Sequence, residues 1–335
     1  MQTRSTQNES NADASAQRPF VSIRVHSWLH QTVKLFYCDH FVLPLPQGHR
    51  FPMDKYRRLR ERCAGDARFE LLEPPAASDA ELARAHDRAY IERVVTGTMD
   101  PREVRALGFP WSAGLVERSR RSNGATIAAA RVALAEGAAG NLAGGTHHAQ
   151  RAAAQGFCVF NDCAVAARAL RHEGLIRRAL VIDTDVHQGN GTAEICHGDP
   201  DIYTFSIHGA RNFPTHKQPS DLDIGLDDGA GDAGFLEALR RGLDTAFAAI
   251  APDLVFYLAG ADAYAGDRLG RLAVSRAGLA ERDARVVERC GATGVPVVVV
   301  MGGGYAPDID DIVAIHHESI RRVATLAARW AGSCG

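Results

Sequence analysis

The run Pro296-Val297-Val298-Val299-Val300-Met301 has no polar face, so as a strand it must be buried on both sides. Ala179-Leu180-Val181-Ile182 and Leu254-Val255-Phe256-Tyr257-Leu258 are runs of the same kind. Further strands are expected at 33–37, 69–72 and 202–208, and a short one at 20–25. Between them lie stretches that favour helix, at 123–136, to about 172, at 234–250, 279–290 and about 310–330. Ser78 with Glu81 forms a capping box ahead of a helix expected to run through Ala85. Strands that alternate with helices demand a parallel sheet with both faces covered.

Open sheets of this type bind ligands beyond the carboxyl ends of their strands, and there the sequence turns polar. Asp183, Asp185 and His187 follow the run at 179–182, and residues two apart on an extended chain share a side. Gly144-Gly145-Thr146-His147-His148 follows another strand end, Asp262 follows the run at 254–258, and Gly302-Gly303-Gly304-Tyr305 follows the run at 296–301. Asp185, His187 and Asp262 make a set of one nitrogen and two carboxylates that suits a catalytic divalent ion with an open position. Such an ion activates water and polarises a carbonyl, which makes amide hydrolysis feasible at neutral pH. The paired histidines offer a base and an acid, and Tyr305 offers a phenolic donor to an oxyanion.

The 335 residues suffice for one α/β unit. A formal charge of -2 gives no global basic field, so nucleic acid is not an expected partner. The seven cysteines include no CxxC pair, which fits a reducing compartment better than a disulfide framework. No apolar run approaches the ~18 to 20 residues of a membrane span, and the first residues lack the plan of a secretory signal. A cytoplasmic protein is the expectation. Residues 1–19 are polar and expected to form a disordered tail, leaving 20–335 as a single domain.

The blocks GGTHHA (144–149), GFCVFND (156–162), VIDTDVHQGNGT (181–192), GADAYAGDRLG (260–270) and GGGY (302–305) occur in order, with LPLPQGHRFPMDKY (43–56) upstream. In these blocks the chain resembles the zinc-dependent histone deacetylases of the arginase/deacetylase fold, and is most similar to class IV-like single-domain bacterial members. The resemblance implies a three-layer αβα architecture with a mostly parallel sheet of about eight strands. It implies one zinc ion on Asp185, His187 and Asp262, with His147 and His148 as acid/base pair, Asp183 as partner of His147, and Tyr305 polarising the carbonyl. It implies a substrate channel at Gly156, Phe157, Phe213, Leu269 and Gly303. A potassium ion is implied on oxygens of Asp183, Asp185, His187, Ser206 and Ile207. The implied reaction removes an acyl group, acetyl in the first instance, from a lysine side chain of a protein or peptide.

Three positions depart from common members of that family. Asn190 stands where many have a carboxylate partner for the second histidine, so His148 should be harder to protonate. Gly108 stands where a rim aspartate clamps the peptide backbone. Leu269 stands where polyamine-selective members carry a glutamate, which favours an acyl-lysine stem over a small cationic acetylpolyamine. Arg50 matches a basic residue near the inner end of the channel. A two-manganese ureohydrolase on the same fold would need further carboxylates where this chain has Gly189 and Tyr264. A non-catalytic acyl-lysine module and a Cys158 nucleophile are the other readings considered, and self-association is left open.

Overall fold

The structure, a computed structural model, describes residues 32–41, 43 and 45–333. The tail expected at 1–19 and the strand expected at 20–25 lie outside the described residues. Strands β1 (Val33–Phe36), β2 (Phe69–Leu72), β3 (Ala138–Asn141), β4 (Ala179–Asp183), β5 (Ile202–Gly209), β6 (Leu222–Leu226), β7 (Leu254–Leu258) and β8 (Val297–Val300) form one sheet. Their spatial order is β2-β1-β3-β8-β7-β4-β5-β6, and every ladder is parallel.

The helices are α1 (Asp54–Ala64), α2 (Asp79–Leu82), α3 (Arg88–Thr96), α4 (Pro101–Leu107), α5 (Ala113–Glu136), α6 (Asp162–His172), α7 (Asn190–Cys196), α8 (Asp232–Ala249), α9 (Arg276–Thr293) and α10 (Ile309–Ser333). Alternate strand side chains feed two cores, as period-two geometry requires. Val298, Val300, Val181 and Phe256 join the alanines of α5 and α6 on one face. Val297, Val299, Leu180, Ile182, Val255 and Tyr257 join α8, α9 and α10 on the other. The result is the three-layer α/β architecture with an eight-stranded sheet.

Three local departures have simple causes. Helix α5 starts ten residues before the expected 123, because Ser112 caps it by accepting from the Leu115 amide at 3.1 Å. Its charged first half packs through long side chains, as when Arg118 donates to the Cys38 carbonyl at 2.9 Å. β6 falls at the end of what reads as a loop (209–225). It alternates half-buried and exposed residues at the sheet edge, and so lacks the apolar signal of the central strands. The Ser78–Glu81 capping box is present, but the helix it opens stops at Leu82.

One buried charge ties the helical layer to the sheet. Arg282 on α9 is fully buried and donates to the Gly260 carbonyl at 2.6 Å, just after β7, and to Asp283 at 2.9 Å. Asp283 also accepts from Tyr257 of β7 and from Ser319 of α10. Arg282→Met leaves Asp283 without its cation in a dry core, and is expected to lower stability by about 3–5 kcal/mol. The loss is read from the denaturant midpoint at an unchanged slope.

Candidate active site

Strands β3, β8, β7 and β4 are consecutive neighbours, and the segments leaving their carboxyl ends meet at one crevice. Asp183 ends β4, and its Oδ1 accepts from the Asp185 amide at 3.1 Å. Asp185 Oδ1 accepts from the His187 amide at 3.0 Å, and Asp185 Oδ2 from the Gly303 amide at 2.7 Å. Asp262, reached from β7, accepts from the Val186 amide at 2.9 Å. Each carboxylate is thus locked to a neighbouring loop by backbone donors.

These bonds turn one ligand atom each of Asp185, His187 and Asp262 to within 4.8 Å of one another. His187 Nδ1 lies 3.0 Å from Asp185 Oδ1 and 3.1 Å from Asp262 Oδ2. Burial and the neighbouring Asp185 push the Asp262 carboxyl up to about 7. Burial works against a charge on His187, but hydrogen bonds to both carboxylates prevail and raise it to about 10. A proton on His187 therefore does the neutralising, at the point where a divalent cation would satisfy both acids and the imidazole together. The donor set fits such an ion. A Cβ on Gly303 would sit 1.9 Å from Asp262 Oδ2, so glycine there makes room for the carboxylates.

The histidine pair lies beside this set, with ring centroids 4.1 Å apart. Two residues of the GFCVFND block hold its loop in place. Asp162 is buried and accepts from the Gly145 and Thr146 amides and the Thr126 and Thr146 hydroxyls. Asn161 caps α6 and donates to the Ala149 carbonyl at 3.3 Å. Neither has a role in the sequence reading. Their position at the start of a helix, well along the chain from the histidines, gives no sign of it.

The two imidazoles have unlike partners. His147 Nδ1 donates to Asp183 Oδ2 at 2.7 Å. Burial opposes its charge, but Asp183 and Asp185 outweigh burial and push it up to about 9. His148 Nδ1 lies 2.7 Å from Asn190 Oδ1, while Asn190 Nδ2 donates to Gln155 at 2.8 Å. The amide oxygen therefore faces His148, whose Nδ1 carries the hydrogen and whose Nε2 keeps a lone pair. Burial, then the cationic neighbours His147 and His187, hold His148 well below the usual histidine range.

The Tyr305 amide donates to Asp267 at 2.6 Å, which fixes the backbone beneath the ring. The ring stands edge-on to His187 at 6.3 Å, and no described residue accepts from its hydroxyl. Gly156, Phe157, Phe213, Leu269, His148, His187 and Tyr305 line an outer cavity of about 510 Å³, and Gly303 lines the smaller cavity beneath it. Phe213 packs edge-on to His148 at 4.9 Å. Phe157, at φ 67°, packs against Phe51 and Phe109. Ser206 lies opposite Asp183 in the β4–β5 ladder, Ile207 follows it, and the Ser206 hydroxyl is 2.9 Å from His208 Nδ1.

One expectation changes. Arg50 is exposed at the outer mouth, not at the inner end of the channel. The inner cation is Lys55, on the first turn of α1, buried and donating to the Gly302 carbonyl at 3.2 Å. Its Nζ is 5.5 Å from the centre of the Tyr305 ring, and burial lowers its pKa to about 8 despite Asp262 and Asp185. Gly108 also lies at the mouth, at φ 82°, with its carbonyl 2.9 Å from His49 Nε2. The Cys158 thiol is buried and its pKa is raised by burial, which denies it the thiolate a nucleophile needs.

The chain is similar to proteins of known family. Residues 49–320 match the histone deacetylase domain. An uncharacterised protein of Picosynechococcus sp. is 44% identical over 291 residues, which is 86% of this chain and 97% of the relative. The histone deacetylase-like amidohydrolase of Pseudomonas aeruginosa is 31% identical over 282 residues, 78% of this chain and 74% of that one. The crystal structure of a deacetylase homologue from Aquifex aeolicus superposes with a TM-score of 0.75 at 23% identity, covering 88% of this chain and 84% of that one. A domain match across most of the chain and a shared fold place this protein in the histone deacetylase family of hydrolases.

Proposed function

We propose that the protein is a zinc-dependent deacylase that hydrolyses the acyl amide of a lysine side chain in a protein or peptide. The observation that carries this reading is the meeting of one imidazole and two carboxylates, all buried, beside a histidine held neutral. Zinc held by Asp185, His187 and Asp262 supplies Lewis acidity towards water and the amide carbonyl. His148 Nε2 takes the proton of the attacking water and returns it to the amine nitrogen as the C–N bond breaks, leaving a carboxylate and a free amine. His147, kept charged by Asp183, stands beside His148 as the second member of the acid/base pair, and the Tyr305 phenol faces the negative charge that builds on the acyl oxygen. A potassium ion on oxygens of Asp183, Asp185, His187, Ser206 and Ile207, and a reducing cytoplasmic setting for the buried free thiols, belong to the same proposal.

The test is hydrolysis of an acetyl-lysine peptide by the zinc-loaded protein, with metal content measured alongside. One metal per chain is expected, with turnover lost on chelation and restored by zinc. Two manganese per chain would instead favour a ureohydrolase.

Tyr305→Phe is expected to keep its full metal content and lose about 100- to 1,000-fold in kcat, the typical effect of removing one oxyanion donor. Asn190→Asp gives His148 a carboxylate partner, which stabilises the imidazolium and raises the pKa. The limb of the pH profile of kcat/KM that reports His148 should move to higher pH by about one unit or more.

A further inference from the structure

The reaction chemistry makes no use of the charged residues around the channel mouth. The outer cavity opens past Phe157 and Phe213 to a rim that carries Arg50, Arg105, Arg211 and Arg271, and no carboxylate lines it. Four separate segments supply these guanidinium groups: the loop before α1, the last turn of α4, the residues after β5, and the connection from β7 to α9. Asp228 is the acidic partner, 3.0 Å from Arg211 and 3.1 Å from Arg271. Arg50 and Arg105 have no ion-pair partner among the described residues. Asp100 also acts electrostatically on Arg105, so four arginines meet two carboxylates and positive charge prevails at the entrance.

This surplus is local, because the whole chain carries a formal charge of -2. Packing does not call for it either, since all four side chains are exposed. A cleft lined by one sign of charge focuses the field over its opening, attracts the opposite charge and repels its own. Guanidinium forks pair with carboxylates in two-pronged fashion, and Leu269 on the same rim offers a cation no compensating charge.

The geometry points to a substrate presented in an anionic setting: an N-acyl-lysine with carboxylate side chains flanking it in a peptide, with cationic acylpolyamines turned away at the rim. The inference rests on the deacylase reading and narrows its substrate class.

The test uses the full-length zinc-loaded protein and two acetyl-lysine peptides of equal length, one with glutamates and one with lysines on either side of the acetyl-lysine, together with acetylspermidine. At low ionic strength kcat/KM should be about tenfold or more higher for the glutamate peptide than for the lysine peptide. The ratio should fall towards one near 1 M salt, where the screening length is about 3 Å. Arg50→Glu/Arg105→Glu should reverse the preference. A ratio of one or below in the parent protein, a ratio indifferent to salt, or faster turnover of acetylspermidine than of the glutamate peptide would each overturn the inference. If none of the three is hydrolysed, it is the deacylase reading that fails, and the rim is still decided by equilibrium binding of fluorescent forms of the two peptides, where equal affinities would overturn it.

Discussion

Asp183, Asp185 and Asp262 place three carboxyl groups in a nearly water-free crevice at the ends of two adjacent strands. Unpaired, such a group of acids could not stay ionised. The protein surrounds them with donors: the amides of residues 185, 186, 187 and 303, and the imidazoles of His147 and His187. Because those donors come from loops after three different strands, satisfying the acids also fixes the loops. The glycine at 303 follows from the same constraint, since any side chain there would collide with Asp262. Much of the local backbone reads as the solution to one electrostatic problem.

A second layer of organisation separates two chemically identical side chains. His147 and His148 are sequence neighbours and equally buried, yet one faces a carboxylate and the other an amide. Burial opposes charge on both rings; Asp183 and Asp185 overcome it at His147, while at His148 the cationic neighbours add to it. Lys55 adds a buried ammonium near the Tyr305 ring, tied to the Gly302 carbonyl and within electrostatic reach of Asp262 and Asp185.

The sequence made the central strands plain, because runs such as 297–301 have nowhere to go but the interior, and it made the polar strand ends plain because no core would choose them. The convergence of those ends on one crevice followed from parallel topology. What the sequence hid depends on tertiary contact. Lys55 sits in a charged run with several arginines, and only the docking of α1 turns it inward while Arg50, five residues earlier, stays at the mouth. Asp162 reads as an ordinary first-turn acid, since its partners Thr126, Gly145 and Thr146 come from a different helix and a loop. The strand β6 is half exposed, and a pattern of that kind blends with the polar loop before it.

The order of strands has a consequence for how the molecule is made. β8 lies between β3 and β7, yet it is the last strand along the chain. During synthesis β3 and β7 each have an unpaired inner edge until residues 297–300 emerge, and the sheet exists as two incomplete halves. Long-range parallel pairing of this sort is slow, and open apolar edges invite wrong partners. The strand of four valines that fills that gap also carries the Gly303 amide to Asp185, so the last strand along the chain supplies both the middle of the sheet and one wall of the crevice.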